Sequence, residues 1–277
     1  MFSPRDNIDF SEKGRKEIEL KVFKGQEEFT WGTIDTIDIV PDEMKTDIPV
    51  FFAPGWSITI DSIEKPLKEL AKQKRRVVSL SHARIDGSKE ETEELRKAVS
   101  LLSILERKQI EKTDAIGYSE GAINLLLVAR QYPEKFNNIV LLNPAGLTGW
   151  ENKFKLFGLF VMDLLKFIVN YPADGYRMIK ESAKYIQKNP RRSYDEVSEL
   201  AEFDIMEIMK ELKEKGIKIS VIAGADDLTF FMDKIQKKLG KAYEDGYLDG
   251  FCSVKGGHFD FIGQPEKYMQ AIDSVLK

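Results

Sequence analysis

The sequence predicts an α/β fold: a doubly wound, mostly parallel sheet with an inserted helical unit. Three observations predict it. Short, largely apolar runs recur at 49–53, 76–80, 114–118, 138–142 and 217–223, with a weaker one at 251–254. Such runs suit strands buried on both faces, as in a parallel sheet covered by helices. Helical periodicity fills the gaps at 62–74, 89–107, 121–131, 229–241 and 266–276, and alternation of strand and helix is the signature of a doubly wound sheet. Finally, the stretch between Asn143 and Ile217 breaks the alternation. It reads as helix throughout, at 153–170, 173–188 and 195–215, whereas a crossover needs only one helix.

The elements before Pro49 differ in kind. Ile18, Leu20 and Val22 alternate with polar residues within 16–24, and Ile34, Ile37 and Ile39 do so less cleanly within 33–40. Period-two alternation predicts half-exposed antiparallel edge strands. No repeat or low-complexity linker divides the chain. The expected organisation is one domain, with the helical stretch between Asn143 and Ile217 laid over the sheet as an inserted subdomain.

Composition narrows the function classes. The 277 residues are 42% hydrophobic and 32% charged, with 42 Lys and Arg against 46 Asp and Glu. Nothing in this balance suits a nucleic-acid or anionic-lipid binder, which would carry a basic surplus. The single cysteine, Cys252, excludes an internal disulfide framework and reads as a small buried hydrophobe on the last strand. Residues 1–10 lack the apolar core of a signal peptide. The expectation is a cytoplasmic protein. The stretch 156–171 is interrupted by Asp163 and Lys166, so stable membrane insertion is not expected. No Cys/His cluster has metal-ligand spacing and no glycine-rich phosphate loop occurs, so neither metal nor cofactor is expected. Arg191-Arg192 reads as a solvated basic pair.

Candidate chemistry concentrates at Gly117-Tyr118-Ser119-Glu120-Gly121. The bare Gly-x-Ser-x-Gly pattern is only suggestive. Its context is sharper, because it directly follows the apolar run 114–116 and directly precedes the helical run 122–131. A nucleophile elbow requires that strand, sharp turn and helix. The flanking glycines leave room where side chains would strike the neighbouring strand and helix. Ser119 still needs a base. The chain has two histidines, His82 and His258. Elbow folds run Ser, acid, His in chain order, and His258 alone fits; His82 reads as a loop residue at the site rim. Two acids follow the 217–224 strand, Asp226 and Asp227, and both qualify. For the oxyanion, the backbone N–H groups of Glu120 and Trp56 are the expected donors, the latter at the turn Pro54-Gly55-Trp56.

Taken together, the chain resembles the α/β-hydrolase family. The resemblance runs from Pro49 to the C-terminus apart from the helical insertion. It rests on Pro54-Gly55-Trp56, Gly117-Tyr118-Ser119-Glu120-Gly121, Gly224-Ala225-Asp226-Asp227 and Gly256-Gly257-His258, in that order. It implies nucleophile Ser119, base His258 and acid Asp227, the Gly-x-x-Asp spacing favouring Asp227 over Asp226. It also implies that 148–215 is a helical cap on a core of residues 1–147 and 216–277. A serine at the elbow disfavours the epoxide and halide chemistry of relatives that carry Asp there. The activity implied is a serine carboxylesterase cleaving small apolar esters through an acyl-enzyme. The alternatives are carbon–carbon or lactone cleavage on the same triad, or a non-catalytic binding protein. Two departures stand out: Pro54 replaces the histidine many members carry before the oxyanion glycine, and Glu120 puts a carboxylate beside the oxyanion unless it points away or is neutralised.

The helix at 153–170 is apolar nearly all round and is expected to bury more than one side. One face is expected to line an acyl pocket through Phe157, Phe160 and Met162. Cap core or a homodimer contact is the alternative. An interfacial membrane helix is disfavoured by its thin polar face.

Overall fold

The computed structural model describes residues 18–82, 92–147, 153–188 and 190–276. Strands β1 (Leu20–Phe29) and β2 (Gly32–Pro41) form an antiparallel hairpin. β2 pairs antiparallel with β4 (Val77–Leu80), and β4 pairs parallel with β3 (Val50–Ala53). β5 (Thr113–Tyr118), β6 (Phe136–Leu142), β7 (Lys218–Gly224) and β8 (Gly250–Val254) continue the parallel part. The single sheet has the order β1-β2-β4-β3-β5-β6-β7-β8. The predicted edge hairpin is present, though β1 extends to Phe29, further than its apolar pattern. Its polar end, including Glu28, lies on the open edge, where charge costs little and blocks further pairing. The start of the predicted first strand, residues 16 and 17, lies outside the described residues.

Period-two alternation divides the core into two layers. Phe51, Ala115, Leu141 and Val221 join α2 (Glu93–Arg107), α3 (Gly121–Gln131), α7 (Met206–Glu214) and α8 (Met232–Glu244) on one face. Phe52, Ile116, Val140 and Ile222 join α1 (Ile60–Ala71) and α10 (Glu266–Val275) on the other, with the short α9 (Asp260–Gly263) between β8 and α10. The last strand is less buried than expected. β8 is an edge strand, and Cys252 on it is half-buried rather than a core residue.

Between β6 and β7 stand α4 (Lys153–Asn170), α5 (Pro172–Lys188), α6 (Pro190–Glu202) and α7. The helix expected over 195–215 is two helices. Ile205 is fully buried in the break, with its N–H donating to the Gly146 carbonyl (3.2 Å). Asp204 Oδ1 then accepts from the Met206 N–H (3.0 Å) and starts α7. α7 lies on the sheet layer beside α3, and α4–α6 stand over the carboxyl ends of the strands. Among the described residues no helix is long and apolar enough to cross a membrane.

Candidate active site

Ser119 occupies the turn between β5 and α3 with φ of +56°, a left-handed conformation that side chains rarely adopt and that costs about 1–3 kcal/mol. Three backbone hydrogen bonds hold it there. Its N–H donates to Leu142 O (3.0 Å), and its carbonyl accepts from Ala122 (3.1 Å) and Ala145 (3.2 Å). The flanking glycines are required by space. A Cβ on Gly121 would sit 2.3 Å from the Ala53 carbonyl oxygen, and one on Gly117 would sit 2.6 Å from Ala122 Cα.

The structure brings Ser119, His258 and Asp227 together. His258 Nε2 lies 3.0 Å from Ser119 Oγ, and His258 Nδ1 lies 2.8 Å from Asp227 Oδ2. The second carboxylate oxygen of Asp227 accepts from the Phe230 N–H (2.8 Å). Asp226 is exposed, whereas Asp227 is buried. Burial disfavours the His258 imidazolium, but the charge and hydrogen bond of Asp227 outweigh it and raise the pKa above the ordinary value of 6.5. Phe230 and Phe259 meet the ring edge-on and Tyr118 stacks on it. The imidazole is thus fixed in angle as well as position. The N–H groups of Trp56 and Glu120 find no acceptor among the described residues.

On the other side of Ser119 lies a buried ionic cluster that sequence reasoning missed. Lys97 and Glu120 are fully buried, with Lys97 Nζ 2.6 Å from Glu120 Oε1 and 3.5 Å from Glu196 Oε1 of α6. The Glu120 carboxylate is therefore turned toward, and paired with, a buried ammonium. Burial, then the charge of Glu120, holds Glu94 well above the usual carboxyl range. Protonated, Glu94 can donate to Glu120. Glu196 also accepts from the Trp56 indole (2.7 Å) and the Tyr185 hydroxyl (2.6 Å). Arg192, expected to be solvated, is 7% exposed and sits 2.5 Å from Glu93 Oε2. A helix that turns one side onto α2 must pair any cation on that side, whereas Arg191 stays exposed.

His82 joins this side. Its Nε2 lies 2.9 Å from the Pro54 carbonyl, so it braces the Pro54-Gly55-Trp56 turn from the end of β4. Burial, Lys97 and Arg192 push its pKa down to about 3, against the weaker pull of the Pro54 carbonyl. It remains a neutral imidazole at ordinary pH.

Two further anchors also escaped sequence reasoning. Asn143 donates to the His258 carbonyl (2.8 Å) and accepts from the Gly224 N–H (2.7 Å), tying the acid and histidine loops together. Asp163 of α4 accepts from the Leu228 and Thr229 N–H groups (2.8 Å each) and the Thr229 hydroxyl (2.9 Å). Burial, then Asp227, raises its pKa. Its one sequence signal was an acid in an apolar helix.

The expected pocket needs correction. Phe160 faces the site, edge-on to Trp56 (5.6 Å) and Phe259 (5.2 Å). Phe157 and Met162 are 47% and 56% exposed on the outer side of α4. Asp163 fixes the rotation of the helix, and 100° per residue then carries them outward. Nor does α4 bury both faces. Among the described residues no group of three His, Cys, Asp or Glu is arranged to hold a metal.

No protein-family model and no curated protein matches the sequence. Solved structures match it throughout. They include a bromoperoxidase from Bacillus anthracis (TM-score 0.68, 13% identity, covering 92% of this chain and 99% of that one). An enol-lactonase from Burkholderia xenovorans LB400 matches with TM-score 0.67 and 11% identity over 91% of this chain and 99% of that one. A putative lipase from Acinetobacter baumannii AYE matches with TM-score 0.67 and 12% identity over 92% and 91%. The chain has the α/β-hydrolase fold. Within that fold, His82 holds the Pro54 carbonyl from the neighbouring strand end.

Proposed function

We propose that the protein is a serine hydrolase, and a carboxylesterase in particular. The observation that carries this is the unbroken relay from Ser119 Oγ through both His258 nitrogens to Asp227, on a serine held at φ +56°. In this reading Ser119 Oγ attacks the ester carbonyl while His258 Nε2 takes its proton. The oxyanion meets the N–H groups of Trp56 and Glu120. His258 then protonates the leaving alcohol, and water, deprotonated by the same imidazole, releases the acid. Asp227 holds the tautomer and stabilises the imidazolium. Helices α4–α6 act as a cap, fastened to the core by Asp163 at the acid loop and Glu196 at Trp56. A third tie is the Ser57–Ser182 hydroxyl contact (2.9 Å). Phe160 and Phe259 beside the serine suit an apolar acyl group.

The test is a fluorophosphonate labelling experiment beside a screen of p-nitrophenyl esters of graded acyl length, a lactone and a β-diketone. The expected result is labelling at Ser119 and turnover of short-to-medium acyl esters. Labelling with turnover of only the lactone or the diketone would move the reading to those substrates. Folded protein that takes no label would make it a binding protein.

A further inference from the structure

We propose that the outer face of α4 and α5 is a docking surface for an anionic lipid membrane. Phe154, Phe157, Met162, Leu165 and Val169 of α4 are 47–79% exposed. At 100° per residue they fall on one side of the helix, opposite Asp163. α5 packs against α4 closely enough that a Cβ on Gly175 would lie 2.8 Å from Ile168 Cα. It adds exposed Tyr176 and Ile179 to the same patch. A contiguous apolar patch of this kind marks an interaction site.

Charge selects the occupant. α4 and α5 together carry seven Lys and Arg against three acids, in a chain with 46 acids and 42 bases. One of the three acids, Asp163, is buried against the acid loop. The other two, Asp174 and Glu181, pair with Arg177 and Lys184 of α5 itself. Lys155 and Lys166 line one edge of the α4 stripe, and Lys180 lies beside Ile179. A second copy meeting this face symmetrically would set its basic surplus against itself. A lipid surface with acidic headgroups complements both the apolar stripe and its cationic rim. The thin polar face that argued against an interfacial helix belongs to α4 taken alone. In the folded chain the rest of the protein is its polar side.

The proposal does not rest on the esterase reading, and its test uses no activity. The full chain is floated with phosphatidylcholine vesicles with and without phosphatidylglycerol, at low and high salt. The expected result is co-flotation with the anionic vesicles only, weakened by salt. Leu165→Glu should lower the bound fraction about tenfold or more, because it places a carboxylate among the acyl chains. Lys166→Ala and Lys180→Ala should each weaken binding about fivefold. All three positions are exposed, and circular dichroism of each variant should match the parent. Failure of the parent to float, or equal flotation with both vesicle types, overturns the proposal. So does a dimer on sizing that Leu165→Glu converts to monomer, which would assign the stripe to a second copy.

Discussion

The two sides of Ser119 hold one histidine each, and the protein treats them in opposite ways. Both are buried and follow a parallel strand. Around His258 stand carboxylates, Asp227 in contact and Asp163 beyond, and its pKa rises above 6.5. Around His82 burial, reinforced by Lys97 and Arg192, depresses the pKa to about 3. One imidazole is poised to gain a proton, and the other is kept from doing so. Residue type therefore says little about role at this site; the sign of the surrounding charge decides it. In the proposed reaction the carboxylate side would move protons, while on the cationic side His82 holds the Pro54 carbonyl.

The largest expected effect lies on the proton-moving side. Ser119→Ala and His258→Ala should each lower ester kcat by a factor on the order of 10⁴ to 10⁶, measured by initial rates with thermal midpoint as a folding control. Asp227→Asn should cost on the order of 10⁴, whereas Asp226→Asn, altering an exposed side chain, should stay within about threefold. A larger loss in Asp226→Asn would reverse the assignment.

On the geometric side the effects should be smaller and of another kind. Glu196→Ala strips the Trp56 indole of its acceptor and Lys97 of one of its carboxylates. Removing one partner from a buried ionic group costs about 3–5 kcal/mol of stability. We expect a lower thermal midpoint and a fall in kcat of about ten- to a hundredfold, with Glu196→Gln recovering part of it by accepting from the indole. His82→Ala removes one neutral hydrogen bond to Pro54 and should cost no more than about tenfold in kcat. Equal losses in His82→Ala and His258→Ala would erase the distinction between the sides.

pH separates the histidines most finely. The rate with His258 as base should fall on the acid side with a midpoint above 6.5. Stability should bend in opposite senses. His258, raised in the folded state, contributes stability below pH 6.5 that is lost as pH rises through its folded pKa. His82, depressed to about 3, contributes stability above pH 6.5 that is lost as pH falls from there toward 3. Each proton taken up on unfolding gives a slope of about 1.4 kcal/mol per pH unit. Denaturant titrations of His82→Asn between pH 6 and 4 should show a slope shallower by about that amount.

Much of this site was legible in the sequence because its parts are local. Gly117 and Gly121 bracket Ser119 within five residues, and the strand before and helix after them are plain in periodicity. The choice between His82 and His258 followed from chain order. What was not legible depends on rotation and long-range pairing. Whether Arg192 faces solvent or Glu93 turns on how α6 rolls against α2, and nothing within α6 sets that angle. Phe157, Phe160 and Met162 looked equivalent in an apolar helix until Asp163 bonded the acid loop and fixed which of them faces inward. Nothing near Lys97 in the sequence marks it as buried, since its partners Glu120 and Glu196 lie 23 and 99 residues away along the chain.

Those separations also set the order in which the site can come into being. The Trp56–Glu196 and Tyr118–His258 bonds each span 140 residues, and Ser57–Ser182 spans 125. During synthesis the elbow and the turn at Trp56 emerge first, then their fasteners on α5 and α6, and the histidine last, in the loop after the half-buried edge strand β8. Contacts between distant segments form late in folding. A growing or refolding chain therefore carries its secondary structure before it carries a competent serine. In refolding from denaturant, recovery of far-ultraviolet circular dichroism should precede recovery of esterase activity, with fluorophosphonate reactivity tracking the slower phase.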